Sequence, residues 1–245
     1  MLENLSNHIA FITGASRGIG RACAVAYARQ GCDLALAARS PGDLEKTAAM
    51  CREHGATTVA VETDVSDRDD VQAAIDHCTT ELGGLNILVN NAGRYPRQHI
   101  DEADLAEWEQ TVDVNLMGAI YAIRFAATHM KLATQDGQRA AIINIASISG
   151  KMSFEKGGVY CATKHGLVGL SGSAYEDLRE HGIKVTAICP GFVNTDLVSE
   201  RNLDTSKMIQ PEDVAETALF VTKFPETGCP TEIVLRPQRT PYLTE

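Results

Sequence analysis

Tyr160 and Lys164 lie four positions apart, early in a segment whose pattern predicts a helix. Residues at this spacing share one helical face, so a phenol and an ammonium can reach a common site. A free tyrosine has a pKa of about 10, too high for efficient proton transfer near neutral pH, and a neighbouring cation favours the phenolate. The pair predicts a general acid or base. The competing interpretation is an aromatic ring resting on a lysine stem at a helix surface.

Ser147 follows the apolar run at 140–145, which predicts a buried strand. This position is the carboxyl end of the strand, where ligands bind in doubly wound α/β folds. A serine hydroxyl there can donate a hydrogen bond to a substrate oxygen as negative charge develops. The alternative role is that of a turn or helix cap, and Ser149 could take either part.

A glycine-rich segment, 13–20, separates the first predicted strand from the first predicted helix. Gly14, Gly18 and Gly20 allow a tight turn and a close approach of the backbone to a pyrophosphate. The helix that follows offers free N–H groups and the positive end of its dipole. Many such turns only cap a helix, but the position directly after the first apolar strand favours a dinucleotide phosphate site.

The end of the second predicted strand favours NADP(H) over NAD(H). A free ribose 2′-hydroxyl is usually held by an acidic residue at this point, whereas here Arg39 follows two alanines. Arg17 in the glycine-rich segment is a second cation, and arginine binds phosphate through paired, charge-assisted hydrogen bonds. Either arginine alone would be read as a solvated surface residue; the pair without an acid predicts a 2′-phosphate site.

The elements that must position these residues alternate along the whole chain. Predicted strands cover 8–13, 33–38, 57–61, 86–90, 140–145, 184–188 and 231–235, and predicted helices cover 17–30, 42–54, 67–82, 105–132, 159–181 and 211–223. Several strands are continuous apolar runs, which is typical of a parallel sheet covered on both faces. We therefore expect one domain over 1–245, an α/β Rossmann-like, doubly wound, mainly parallel sheet of seven strands between helix layers.

Composition narrows the class of partner. The formal net charge of −10 argues against a nucleic-acid or anionic-membrane surface. No run is long and apolar enough to span a bilayer, and the first residues lack a secretory signal pattern. The seven cysteines are scattered and never spaced as a metal-binding pair, so neither a metal site nor a disulfide framework is predicted. We expect a cytoplasmic protein.

The chain resembles the short-chain dehydrogenase/reductases, from the first strand to about Thr195. The motifs of that family occur here in the family's order, and any one of them alone would be common. They are Gly14, Gly18 and Gly20, then Asn90-Asn91-Ala92-Gly93, Asn115, Ser147, Tyr160 with Lys164, and Pro190-Gly191 with Thr195.

The resemblance implies a role for each matched residue. Tyr160 would be the general acid in reduction and the base in oxidation, and Lys164 would bind the nicotinamide ribose. Ser147 would hold the substrate oxygen, and Asn115 would keep a water in a proton relay to Lys164. The other implied cofactor contacts are Gly14, Ser16, Arg17, Gly18, Ile19, Gly20 and Arg39, with Asp64 and Val65 at the adenine, Asn91, Ala92 and Gly93 on the adenosine side, and Pro190, Val193 and Thr195 at the nicotinamide.

The last third of the chain departs from the family pattern. The final strand lacks the Gly-Gly dipeptide that ends it in many members, and the segment 196–210 is shorter than the usual substrate-covering segment. We expect a reduced lid and an open pocket that tolerates bulky or varied substrates.

Three hypotheses remain at this point. The first is an NADP(H)-dependent carbonyl reductase or alcohol dehydrogenase acting on a small carbonyl or alcohol. The second is a regulator that binds NADP(H) without turnover, and the third is an epimerase or dehydratase that keeps its cofactor oxidised. We also expect a homodimer or homotetramer built on the helices at 105–132 and 159–181, although the apolar residues of these helices could equally serve the core.

Overall fold

The computed structural model describes residues 4–198 and 203–242. The seven strands are β1 Ile9–Thr13, β2 Asp33–Ala38, β3 Thr58–Glu62, β4 Ile87–Asn90, β5 Ala140–Ile145, β6 Ile183–Pro190 and β7 Glu232–Leu235. The α-helices are α1 Gly18–Arg29, α2 Pro41–Arg52, α3 Arg68–Leu82, α4 Leu105–Val112, α5 Gly118–Gln135, α6 Gly158–Leu178 and α7 Pro211–Lys223.

The strands form one parallel sheet in the order β3-β2-β1-β4-β5-β6-β7. The order of the chain reverses between β1 and β4, and a ligand crevice is expected outside the carboxyl ends of the strands at such a point. Strands β4, β5 and β6 are buried throughout, whereas the edge strands β3 and β7 are partly exposed. This burial explains the continuous apolar runs, and the predicted fold class is confirmed.

Helices cover both faces of the sheet. One apolar cluster joins the sheet to α1, α2 and α7, through residues such as Ala24, Leu44 and Val214. The other cluster joins it to α3, α5 and α6, for example through Ile75 and Met130. Because the sheet is held between two packed layers, the loops at its carboxyl edge rest on a rigid support.

The predicted helix at 105–132 is wrong in one respect, because a π-helical turn, Asp113–Met117, separates α4 from α5. Two tertiary contacts occur at this turn. The Asn115 side chain bonds the backbone of Arg94, and a Cβ on Gly118 would lie 2.9 Å from the Val65 carbonyl oxygen. We attribute the turn to these contacts, since π turns are rare and frequently mark functional sites.

The sequence contains no apolar run long enough to span a bilayer, and the lengths of the helices bear on this prediction. Among the helices of 4–198 and 203–242, none combines the length and the apolar character needed to cross a bilayer.

Candidate active site

A large cavity of about 1180 Å³ lies among loops that follow the strands, and it is lined by most of the predicted site residues. Of those residues, Gly20 and Asn115 do not line it. The predicted residues that do are Gly14, Ser16, Arg17, Gly18, Ile19, Arg39, Asp64, Val65, Asn91, Ala92, Gly93, Ser147, Tyr160, Lys164, Pro190, Val193 and Thr195.

Tyr160 and Lys164 occupy the first turns of α6 and share one face of it. The Lys164 Nζ lies 5.7 Å from the centroid of the Tyr160 ring. The same Nζ donates a 2.8 Å hydrogen bond to the backbone oxygen of Ile145, at the end of β5. Only 8% of Tyr160 and 4% of Lys164 is exposed. The phenol and the ammonium are therefore held together in a site largely shielded from water.

Burial disfavours the charged form of Lys164. Loss of hydration lowers the pKa of this lysine from 10.5 to about 8, and nearby Cys189 acts weakly in the opposite direction. A poorly hydrated ammonium is stabilised by any negative charge that forms beside it. The arrangement therefore favours negative charge on a neighbouring oxygen.

Ser147 both caps a turn and lines the cavity. Its Oγ accepts a 3.1 Å hydrogen bond from the backbone N–H of Ser149, at the start of the 3₁₀ turn Ile148–Gly150. The two serine hydroxyls also lie 3.1 Å apart, with Ser147 as donor. The sequence left capping and catalysis as alternatives, but the geometry makes them compatible, because the cap fixes the hydroxyl at the cavity wall.

Asn115 lies behind the cavity and braces the loop after β4. Its Oδ1 accepts from the Arg94 N–H at 2.8 Å, and its Nδ2 donates to the Arg94 carbonyl at 2.9 Å and to Thr163 Oγ1 at 3.3 Å. Thr163 precedes Lys164 on α6. Asn115 thus links the π-helical turn, the β4 loop and the helix that carries the tyrosine and lysine pair.

The glycine-rich loop is held in place by hydrogen bonds from Asn91, the residue that follows β4. The Asn91 side-chain amide donates to the carbonyls of Thr13 and Gly14, at 3.0 and 3.1 Å. A Cβ on Gly20 would overlap the Gly14 oxygen, and one on Gly14 would lie 2.9 Å from the Ala92 Cα. Gly14 also has a φ of +64°, which favours glycine. Both residues are needed for the loop to close.

Several cationic side chains line the cavity. Arg17 pairs with Asp196 at 3.0 Å, and both side chains are 70% exposed. Arg39 is exposed just after the end of β2. Arg21 also lines the cavity, although the sequence did not predict it. It lies one turn into α1, the helix that follows the glycine-rich segment.

Asp64 has a local structural role as well as a place in the cavity wall. Its Oδ1 accepts from the N–H and the hydroxyl of Ser66, at 3.0 and 2.7 Å. Partial burial tends to raise the pKa of this carboxyl, but the two bonds from Ser66 and the positive charge of Arg39 outweigh it and lower the pKa. The carboxylate is therefore ionised and fixed in direction at neutral pH.

The geometry fits a dinucleotide phosphate. The side chain of the N-cap residue, Arg17, makes no capping bond to α1, so the first N–H groups of the helix can face a ligand at the cavity wall formed by Gly18 and Ile19. Gly18 has a φ of +54°, and a Cβ there would lie 3.2 Å from the Thr195 methyl group, so the passage between the glycine loop and the loop after β6 is narrow.

The segment 196–210 contains two 3₁₀ turns, Asp196–Val198 and Thr205–Lys207, and the expected reduced lid falls partly outside the described residues. Its described part is joined to the C-terminal tail, 236–242, whose place at the site the sequence did not predict. The Asp204 N–H donates to the Pro241 carbonyl at 2.8 Å. Arg236, Pro237 and Tyr242 of the tail line the cavity.

Comparisons with known proteins identify the family and the fold of the chain. Residues 8–206 match the family described as short chain dehydrogenase. An oxidoreductase of Staphylococcus aureus strain MW2 is 33% identical over 95% of this chain and 98% of its own length. A metagenomic short-chain oxidoreductase, solved in complex with NADP, is 30% identical with a TM-score of 0.83, covering 96% of this chain and 99% of that one. Carveol dehydrogenase from Mycobacterium avium, solved with NAD, has the same fold, with a TM-score of 0.88 at 23% identity, covering 96% and 98% of the two chains.

A doubly wound sheet with a glycine-rich loop and a Ser, Tyr and Lys set at one cavity defines a class of nucleotide-dependent oxidoreductase. The chain belongs to the short-chain dehydrogenase family, and it is an oxidoreductase of that type.

Proposed function

We propose that this protein is an NADP(H)-dependent carbonyl reductase or alcohol dehydrogenase, with Tyr160 as general acid in reduction and general base in oxidation. The observation that carries the proposal is the buried ammonium of Lys164, 5.7 Å from the Tyr160 ring in a cavity that Ser147 also lines. A buried ammonium next to a phenol stabilises the phenolate that forms when the phenol gives up its proton.

Residues on both sides of the glycine loop would hold the cofactor, which supplies hydride when bound. The first N–H groups of α1 would bind the pyrophosphate, with Gly18 facing Thr195 across the passage. Lys164 would bind the nicotinamide ribose, and Pro190 and Val193 would flank the nicotinamide. Asp64, Val65 and residues 91–93 would line the adenosine side.

The chain's own groups account for the proton. The Ser147 hydroxyl and the Tyr160 phenol would both bond the carbonyl oxygen and fix its position. As that oxygen gains negative charge, the phenol proton would move onto it. Lys164 would stabilise the phenolate that is left, and the same groups would act in reverse during alcohol oxidation. Asn115, which bonds Thr163 next to Lys164, would support the relay that returns a proton to Tyr160.

Arginines that line the cavity support NADP(H) over NAD(H). Arg17, Arg21 and Arg39 are among its lining residues, and we place the 2′-phosphate near them. The one carboxylate of α2 that lines the cavity, Asp43, is ion-paired with Lys46 at 2.7 Å. The NADP complex of the metagenomic relative, 30% identical, supports the same preference.

Oxidation of NADPH by the parent protein, followed across ketones, aldehydes and β-keto esters, tests the reaction. We expect turnover with at least one carbonyl class. Binding of NADPH without oxidation by any class would favour the regulator, and product formation without net consumption of cofactor would favour an epimerase or dehydratase.

The cofactor preference has its own test. Arg39→Asp places a carboxylate next to the 2′ position of the adenosine ribose. This carboxylate would accept a hydrogen bond from the 2′-hydroxyl of NADH and would repel the 2′-phosphate of NADPH. We expect the ratio of kcat/KM for NADPH to that for NADH to fall at least about tenfold, a change of about 1.4 kcal/mol. An equal ratio in Arg39→Asp and the parent would refute the assignment of Arg39. The matched control is Arg29→Asp, at the far end of α1 and outside the cavity.

A further inference from the structure

The C-terminal tail, 236–242, is fixed against the cavity at three places. The Pro241 carbonyl accepts from the Asp204 N–H at 2.8 Å, and Tyr242 pairs with Leu203 in an antiparallel bridge. The Tyr242 ring meets the Phe192 ring edge-on, with centroids 5.5 Å apart. The tail is thus joined both to the loop after β6 and to the segment before α7.

The mouth of the cavity is apolar and exposed. Met152, Phe154, Leu197 and Tyr242 all line it, and all are among the large apolar or aromatic side chains that the described residues leave open to solvent. Clustered exposed apolar side chains commonly mark a ligand or partner site, whereas isolated ones need no explanation. Because these side chains line the same cavity as Ser147 and Tyr160, a substrate is the ligand best placed to cover them.

Aromatic rings extend from the mouth to the reacting phenol. The Tyr95 ring lies beside the Tyr160 ring, with centroids 4.4 Å apart and planes tilted by 50°, and it also meets the Phe154 ring edge-on at 6.2 Å. Tyr95 lines the cavity beside the reacting phenol, so a substituent of a carbonyl bound at Tyr160 can contact its ring. Aromatic walls of this kind favour flat or compact apolar rings, which lose less conformational freedom on binding than flexible chains do.

We propose that the tail is a permanent wall of the substrate pocket and that Tyr242, with Tyr95, selects carbonyl compounds that carry an apolar ring. The proposal rests on the reductase function proposed above, and it adds the substrate class and a specificity-determining residue. Hydride and proton transfer follow the scheme already given, and the ring only positions the carbonyl.

Two methyl ketones with the same number of carbons, cyclohexyl methyl ketone and 2-octanone, test the selection. We expect the parent to prefer the ring, with a ratio of kcat/KM values of about ten or more. Tyr242→Ala should lower that ratio several-fold, about three- to tenfold, and Tyr242→Phe should keep it within about twofold. Phe220→Ala is the matched control, because Phe220 forms a similar edge-on pair with Phe224, is similarly exposed (44% against 58% for Tyr242) and lies outside the cavity.

A binding readout makes the result independent of turnover. Cyclohexyl methyl ketone is titrated into each protein with oxidised NADP, a mixture in which no hydride is available to the ketone. Tyr242→Ala should weaken this binding about three- to tenfold, and Phe220→Ala should not.

The outcomes separate the two claims. No reduction of any carbonyl by the parent would overturn the proposed function and, with it, this inference. Reduction with equal preference for ring and chain, or a preference that Tyr242→Ala leaves unchanged, would overturn the inference alone.

Discussion

Lys164 is buried at a cost in stability, and replacing it should show that cost directly. Its pKa falls from 10.5 to about 8 on folding because burial removes its hydration. At about 1.36 kcal/mol per pKa unit, the charged lysine destabilises the folded state by about 3 kcal/mol at pH 7. Lys164→Met keeps the length and removes the charge. It also leaves the Ile145 carbonyl without its partner, which costs about 1–3 kcal/mol.

The dependence on pH separates these two effects. Because the folded-state pKa is lowered, the unfolded state holds more protons between about pH 8 and about pH 10.5. The parent therefore gains stability relative to Lys164→Met as the pH rises through that window. The penalty from the lysine charge should fall from about 3 kcal/mol at pH 7 to less than about 1 kcal/mol at pH 10, while the cost of the lost hydrogen bond stays constant.

Urea unfolding at pH 7 and pH 10 measures this, with the single tryptophan, Trp108, as a fluorescent probe. We expect Lys164→Met to be at least as stable as the parent at pH 7 and to lose more than about 2 kcal/mol relative to it by pH 10. Titrating groups that do not interact with Lys164 cancel in the difference. Lys46→Met, at an exposed position of α2, should show no such change with pH. A pH-independent difference for Lys164→Met would refute the claim that burial weakens this ammonium.

Further predictions concern the cofactor cleft and the assembly. Asp196→Asn frees Arg17 from an exposed ion pair, so the Kd for NADPH should fall by up to about fivefold in titration calorimetry, with NADH unaffected; a weaker affinity for NADPH would contradict this. Gly20→Ala forces a Cβ onto the Gly14 carbonyl, so the free energy of unfolding in urea should fall by about 1–3 kcal/mol. The same variant should also lose NADPH binding. Gly42→Ala, which meets nothing within 4 Å, is the control and should be neutral or stabilising, so equal losses in both would count against the loop argument. Light scattering after size-exclusion chromatography should give the mass of a homodimer or homotetramer, and a monomer mass would contradict that proposal.

The sequence predicted the frame of the fold because burial on both faces leaves a strong signal. Strands β2 and β5 and helix α7 have the predicted bounds, and the others differ by one to three residues at either end. The prediction for 105–132 was wrong because a π-helical turn interrupts the segment at Asp113–Met117. We attribute this turn to the bonds of Asn115 to the loop after β4 and to the close approach of Gly118 to Val65. Apolar periodicity carries no information about such contacts.

The candidate site was predictable as far as it lies at strand ends. Short motifs after β1, β4, β5 and β6 lie together because parallel strands end at one edge, and this placed Ser147 and Tyr160 in one cavity. Arg21 was missed because it lies one turn inside a helix. Tyr242 was missed because the tail, 236–242, has no periodic pattern, and its place in the cavity wall depends on pairing with Leu203.

The central claim is that the Tyr160 hydroxyl is the general acid in carbonyl reduction. Single-turnover hydride transfer from bound NADPH tests this claim most directly. Tyr160→Phe should slow transfer to a ketone by at least about 100-fold, the contribution typical of general acid catalysis, while the Kd for NADPH stays within about twofold. Tyr95→Phe, which removes the hydroxyl of the ring lying 4.4 Å from Tyr160, should slow it by less than about threefold. Transfer in Tyr160→Phe at the rate of the parent, or an equal loss in the two variants, would contradict the account.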